Sequence, residues 1–165
     1  MSVQKIGLGG GCHWCTEAVF QSLRGVTDVA QGFISSIPPH DTYSEAVIVT
    51  FDATEIPLTT LIDVHLRTHA STSAHKMRSK YRSAVYTHDA EQAEQMRAYL
   101  ARQQAEFDNA LITQTLPLVA FKPSDERFQN YYATDGTRPF CTTYIDPKLA
   151  LIRREFARYA TPQAE

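Results

Sequence analysis

The stretch Val3-Gln4-Lys5-Ile6-Gly7-Leu8-Gly9-Gly10-Gly11-Cys12-His13-Trp14-Cys15 decides how the rest of the chain is read. Residues 3–8 form a short apolar run that suits a strand. Three glycines break it, and residues 14–23 resume with Trp14, Ala18, Val19 and Leu23 at helical spacing. A cysteine at a strand–glycine–helix junction has its sulfur near the free N–H groups and the positive dipole end of the helix. Both favour the thiolate, which is the nucleophilic form. Cys15 lies three positions further on, within reach of a disulfide. The segment therefore predicts a reactive thiol with a partner.

Outward from this junction, Gly25 suits a helix end and residues 26–33 a strand. Residues 34–42 contain Pro38-Pro39 and predict a loop, whereas 45–51 (EAVIVTF) make the clearest strand of the chain. Residues 57–69 predict a helix with Pro57 in its first turn and Leu58, Leu61, Ile62, Val64, His65 and Leu66 on its apolar side. A polar, irregular stretch over 70–80 leads to a strand at 81–86. Residues 89–109 predict the long helix, with Asp89 as N-cap and Ala93, Met96, Leu100 and Phe107 at helical spacing. Pro117 interrupts a strand over 115–121 and marks it as an edge. A helical segment over 125–132, extended chain or loop over 136–147 and a terminal helix over 148–159 complete the pattern. Strands and helices alternate only in part, which predicts an α+β two-layer sandwich rather than a regular parallel sheet. With no repeat, linker or low-complexity stretch, residues 1–165 are expected to form one domain.

The 165 residues suffice for one real core, and 43% hydrophobic with 21% charged residues is ordinary for a soluble globular protein. A net charge of -2 without a basic stripe argues against nucleic acid as a partner. No apolar run is long enough to span a membrane, and the N-terminus does not read as a signal peptide. A cytoplasmic, reducing location and a monomeric chain are the expectations. In that setting three cysteines point to catalysis, metal binding or spectator thiols. Two rival functions follow from the residues alone. Cys12-x-x-Cys15 at a helix start suits a general thiol–disulfide oxidoreductase, although its tryptophan lies between the cysteines rather than before them. Cys12, Cys15, Cys141 and His13 or His69 would make a metal-binding module, but one C-x-x-C with scattered ligands is a weak zinc signal, and no metal is expected. The glycine cluster lacks the Gly-Lys-Ser/Thr of a phosphate loop.

Nearly the whole chain resembles the A-type peptide methionine sulfoxide reductases. Gly-Gly-Gly-Cys-His-Trp-Cys at 9–15 is similar to the family's G-x-G-C-F-W, and Glu45 to Asp52 to its E-V-V-x-V-x-Y-D strand. Tyr81-Arg82-Ser83-Ala84-Val85-Tyr86 is similar to Q-Y-R-S-A-I-Y. Phe128-Gln129-Asn130-Tyr131 resembles H-Q-x-Y, and Pro139-Phe140-Cys141 with Ile145-Asp146-Pro147-Lys148 resembles P-Y-C-x-x-x-I-x-P-K. The resemblance implies a ferredoxin-like mixed sheet and reduction of a sulfoxide, methionine S-sulfoxide in peptides or free. It assigns Cys12 as nucleophile, Glu45 as general acid, Tyr43 and Tyr81 as hydrogen-bond donors to the sulfoxide oxygen, and Cys15 or Cys141 as resolving thiol. No bound cofactor is implied, only thioredoxin or another dithiol as reductant. The chain departs from the pattern at the pocket: His13 replaces the phenylalanine that would cup the substrate methyl with Trp14, Lys76 an aspartate and Arg78 a glycine. The loop between Phe33 and Glu45 is shortened as well. His13 and Lys76 are expected to make the pocket more polar and positive, favouring a small anionic sulfoxide, with His13 a possible partner of the thiolate.

Overall fold

In the computed structural model, which describes residues 2–73, 78 and 80–161, the apolar runs pair into one six-stranded sheet. The strands are β1 (Val3–Gly9), β2 (Val26–Ser35), β3 (Ser44–Asp52), β4 (Ala84–Thr87), β5 (Gln114–Pro117) and β6 (Ala120–Pro123). Their order is β5-β4-β1-β3-β2-β6, antiparallel except for the parallel pair β4–β5. Helix α1 (His13–Gln21) connects β1 to β2, and α2 (Leu58–Thr68) connects β3 to β4. These two β-α-β crossovers interleave, giving the ferredoxin-like central order β4-β1-β3-β2 within an α+β fold. Three further helices follow: α3 (Ala90–Gln103), the short α4 (Tyr131–Thr134) and α5 (Asp146–Glu155).

Period-two alternation sorts the strand residues between two faces. Ile6, Leu8, Val47, Val49, Phe51 and Val85 join Ala18, Val19, Phe20, Leu61, Ile62, Met96 and Ile152 of the helices in the main core. The opposite face carries a smaller cluster of Ile34, Ala46, Ala84, Tyr86 and Leu116. Arg82 closes that cluster, donating to Tyr86 Oη at 3.0 Å and to the Ile34 and Thr42 carbonyls, each at 3.1 Å.

Several expectations change, among them the long helix, which ends at Gln103 rather than 109, and the segment 125–132, which breaks at Gln129. The run 115–121 is two strands at opposite edges, because Pro117 ends β5 and the chain leaves for β6. Leu118 and Val119 bridge those edges, donating to the Thr87 and Ser35 carbonyls, so the sheet coils strongly around its small cluster. Residues 81–83 are not strand: the Arg82 amide bonds the Ser44 hydroxyl rather than a ladder carbonyl. Residues 136–147 are not extended throughout. Cys141–Ile145 form a π-helical turn that runs into α5, where Pro147 in the first turn costs no hydrogen bond.

Candidate active site

The β1–β3 register builds the site. Leu8 pairs with Val47, so Glu45, at the head of the core-facing row of β3, stands level with the glycine turn that leads to Cys12. That turn needs Gly10: a side chain there would collide with the His69 ring. Cys12 caps α1, half-buried, with extended backbone. Glu45 reaches the same helix start. Its Oε1 accepts the His13 amide at 3.2 Å and lies 3.4 Å from His13 Nε2, while Oε2 is 3.8 Å from Lys80 Nζ. Both side chains are buried, Glu45 being 7% and His13 6% exposed.

The Cys12 and Cys15 thiols contact each other and shift each other in opposite directions. The contact with Cys15 and burial push the Cys12 thiol up, while the Trp14 amide pulls it down. The same contact lowers Cys15, against its own burial. Cys12 is the half-exposed member and stands at the helix start; Cys15 is buried. Cys141 is fully buried in the π-helical turn, directed at the Asp135 carbonyl at 3.6 Å, and its thiol is raised chiefly by burial.

Trp14 does not stand free. It stacks on Tyr131 at 4.1 Å and 7°, meets Phe140 edge-on at 5.3 Å and lies 5.6 Å from Phe128. Glu17, one turn along α1, holds this wall by accepting the Asn130 and Tyr131 amides at 3.0 and 3.1 Å. A cavity of about 410 Å³ opens beside the thiols, lined by Cys12, Cys15, Val19, Tyr81, Phe140 and Tyr144, with His69, Arg78 and Lys148 at its polar side. All three polar groups are engaged: Arg78 donates to the Gly10, Ala70, Ser73 and Tyr81 carbonyls, Lys148 to the Thr68 carbonyl, and His69 bonds Ser83.

The structure therefore brings together Cys12, His13, Glu45 and Cys15, with Trp14 in the adjoining aromatic wall and Tyr81 lining the cavity. Tyr43 precedes β3, is 49% exposed and does not line the cavity. Lys76 lies outside the described residues. At His13 the expectation of a partner for the thiolate changes. Its ring is turned to the Gly32 carbonyl and Glu45, and burial lowers its affinity for a proton. Lys80 and Glu17 went unnoticed in the sequence. An acidic residue in the middle of an apolar helix was the signal for Glu17; nothing in the sequence pairs Lys80 with a strand 35 positions away. Among the described residues, no group of three His, Cys, Asp or Glu side chains converges on a metal position. Among them too, no helix is long and apolar enough to cross a membrane.

Residues 4–160 match the family model described as peptide methionine sulfoxide reductase. The peptide methionine sulfoxide reductase MsrA of Erwinia tasmaniensis is 30% identical over 178 residues, covering 99% of this chain and 100% of that protein. Reduced Mxr1 from Saccharomyces cerevisiae has a similar fold, with a TM-score of 0.75 at 20% identity over 87% of this chain and 91% of that one. Mxr1 in complex with Trx2 gives 0.63 at 21% identity, over 79% and 85%.

Proposed function

The chain belongs to the peptide methionine sulfoxide reductase family, and on that premise we propose that it reduces methionine S-sulfoxide, in peptides or free, through Cys12. The Cys12 thiolate attacks the sulfoxide sulfur while Glu45 protonates the oxygen as negative charge builds on it. The thioether leaves, and Cys12 is left as a sulfenic acid. Cys15 condenses with it, expelling water and forming the Cys12–Cys15 disulfide, which an external dithiol reduces. The two electrons come from thiols, so the sequence of steps calls for no bound cofactor. Cys15 is favoured over Cys141 as resolving thiol because its side chain already contacts Cys12, whereas Cys141 is directed at the Asp135 carbonyl. The structure of Mxr1 with Trx2 supports a thioredoxin-type reductant. Tyr81, on the cavity wall, is the better placed tyrosine to donate to the substrate oxygen.

One observation carries this reading: Glu45 Oε1 bonds the amide of the residue that follows the nucleophile, at 3.2 Å, so acid and thiol meet at one helix start. Steady-state reduction of a sulfoxide panel by the wild type, Cys12→Ser and Glu45→Gln, with dithiothreitol and with thioredoxin, tests it. Turnover is expected to be lost in Cys12→Ser and slowed about 100-fold or more in Glu45→Gln. The C-x-x-C pair at a helix start also suits general disulfide reduction. Insulin reduction without sulfoxide turnover would establish that rival.

A further inference from the structure

We propose, on the sulfoxide-reductase reading, that His13 is a positioning residue for the acid: with its Nδ1–H tied to Gly32, its Nε2 and Glu45 Oε1 hold between them the single proton that the sulfoxide oxygen receives. A carbonyl oxygen can only accept, so the 2.7 Å contact between His13 Nδ1 and Gly32 O places a hydrogen on Nδ1. In the neutral ring Nε2 is then a bare lone pair, 3.4 Å from Glu45 Oε1. Two facing lone pairs in a buried site repel. One proton between them removes the repulsion, whether drawn as carboxylic acid on imidazole or carboxylate on imidazolium. The ring cannot turn away easily, since Phe33 packs edge-on against it at 5.1 Å. A phenylalanine, which the resembled motif carries at this position, could hold no proton.

The proton accounting closes. Cys12 gives its thiol proton to the pair and becomes the thiolate. The substrate S–O bond breaks and Cys12 gains the oxygen, so the substrate sulfur is reduced by two electrons and Cys12 oxidised by two. The oxygen takes the stored proton as the sulfenic acid forms. The pair is left as Glu45 carboxylate and neutral His13, ready to accept the proton of the next reduced Cys12. Among the described residues, the ionisable groups around the pair are Cys12 and Cys15 on α1 and Lys80 ahead of β4. From β2, the Gly32 carbonyl and the Phe33 ring face it. Lys80, 3.8 Å from Oε2, favours the bare carboxylate; His13 opposes it by sharing the proton.

Single-turnover thioether release, followed across the neutral and alkaline range in the wild type and His13→Phe, tests the proposal. His13→Phe should keep Cys12-dependent turnover with its alkaline limb moved down by about one pH unit or more. A profile that keeps its position, at full or reduced height, overturns the proposal. Nitrogen NMR of the wild-type imidazole gives a readout free of turnover. The expected result is the Nδ1–H tautomer, with a titration displaced in Glu45→Gln. A neutral Nε2–H tautomer, or a titration indifferent to Glu45, overturns the proposal. Absence of Cys12-dependent turnover in the wild type sinks the reductase reading instead, and the NMR still judges the pair.

Discussion

At the scale of single residues, the site works through paired groups rather than isolated charges. Cys12 contacts Cys15 and His13 faces Glu45, so both pairs lie within one turn of the start of α1. Replacing Cys15 by Ser should leave one round of thioether release intact while ending thioredoxin-supported turnover. Trapping with a sulfenic-acid reagent should then find Cys12 oxidised and persistent. Rapid continued turnover of Cys15→Ser with thioredoxin would shift the resolving role to Cys141. Arg82 illustrates a different economy of charge. It is 4% exposed and its donors go to neutral oxygens. Arg82→Met would take the guanidinium from the Tyr86 phenol and from the Ile34 and Thr42 carbonyls. We expect a loss of about 2–4 kcal/mol, read as a lower midpoint in urea unfolding.

At the scale of elements, the sequence was most legible where periodicity and a cap agree. Asp89 Oδ1 accepts the Gln92 amide at 2.7 Å and starts α3 where the spacing places it. Asp89→Ala should cost about 1 kcal/mol in thermal or urea unfolding without touching turnover. The strand–glycine–helix junction was legible for the same reason, and with it the position of Cys12. Legibility failed where long-range partners override local pattern. Tyr81 to Ser83 look like strand, yet the Arg82 amide is claimed by the Ser44 hydroxyl from 38 positions away. The meeting of His13 and Glu45 depends on strand register, which no local window contains. The sequence at His13 suggests a pocket charge, whereas the ring's orientation depends on the Gly32 carbonyl, a tertiary contact. Gly10 belongs to this scale as well. Gly10→Ala must displace His69 from the base of the turn, and we expect turnover to fall with the fold retained, measured by steady-state kinetics beside circular dichroism.

At the scale of the whole molecule, buried histidines set its response to acid. His65 donates from Nε2 to the Gly9 carbonyl at 2.8 Å, and its buried Nδ1 finds no partner among the described residues. Burial lowers its pKa from 6.5 to about 4, and His69 is lowered in the same sense, also chiefly by burial. The unfolded chain therefore binds these protons before the folded one does. Stability is full above about 6.5 and is lost as pH falls towards about 4, by about 3 kcal/mol for His65 alone. Urea midpoints at neutral and mildly acidic pH should show this loss in the wild type and a shallower one in His65→Gln. Equal slopes would exclude His65 as the cause. Trp14, the chain's one tryptophan, sits between Cys12 and Cys15 in sequence and lies flat against Tyr131. Its light emission therefore comes from beside the thiols alone. Closing or opening their bond should change that glow, giving every catalytic cycle an intrinsic optical signal that needs no dye.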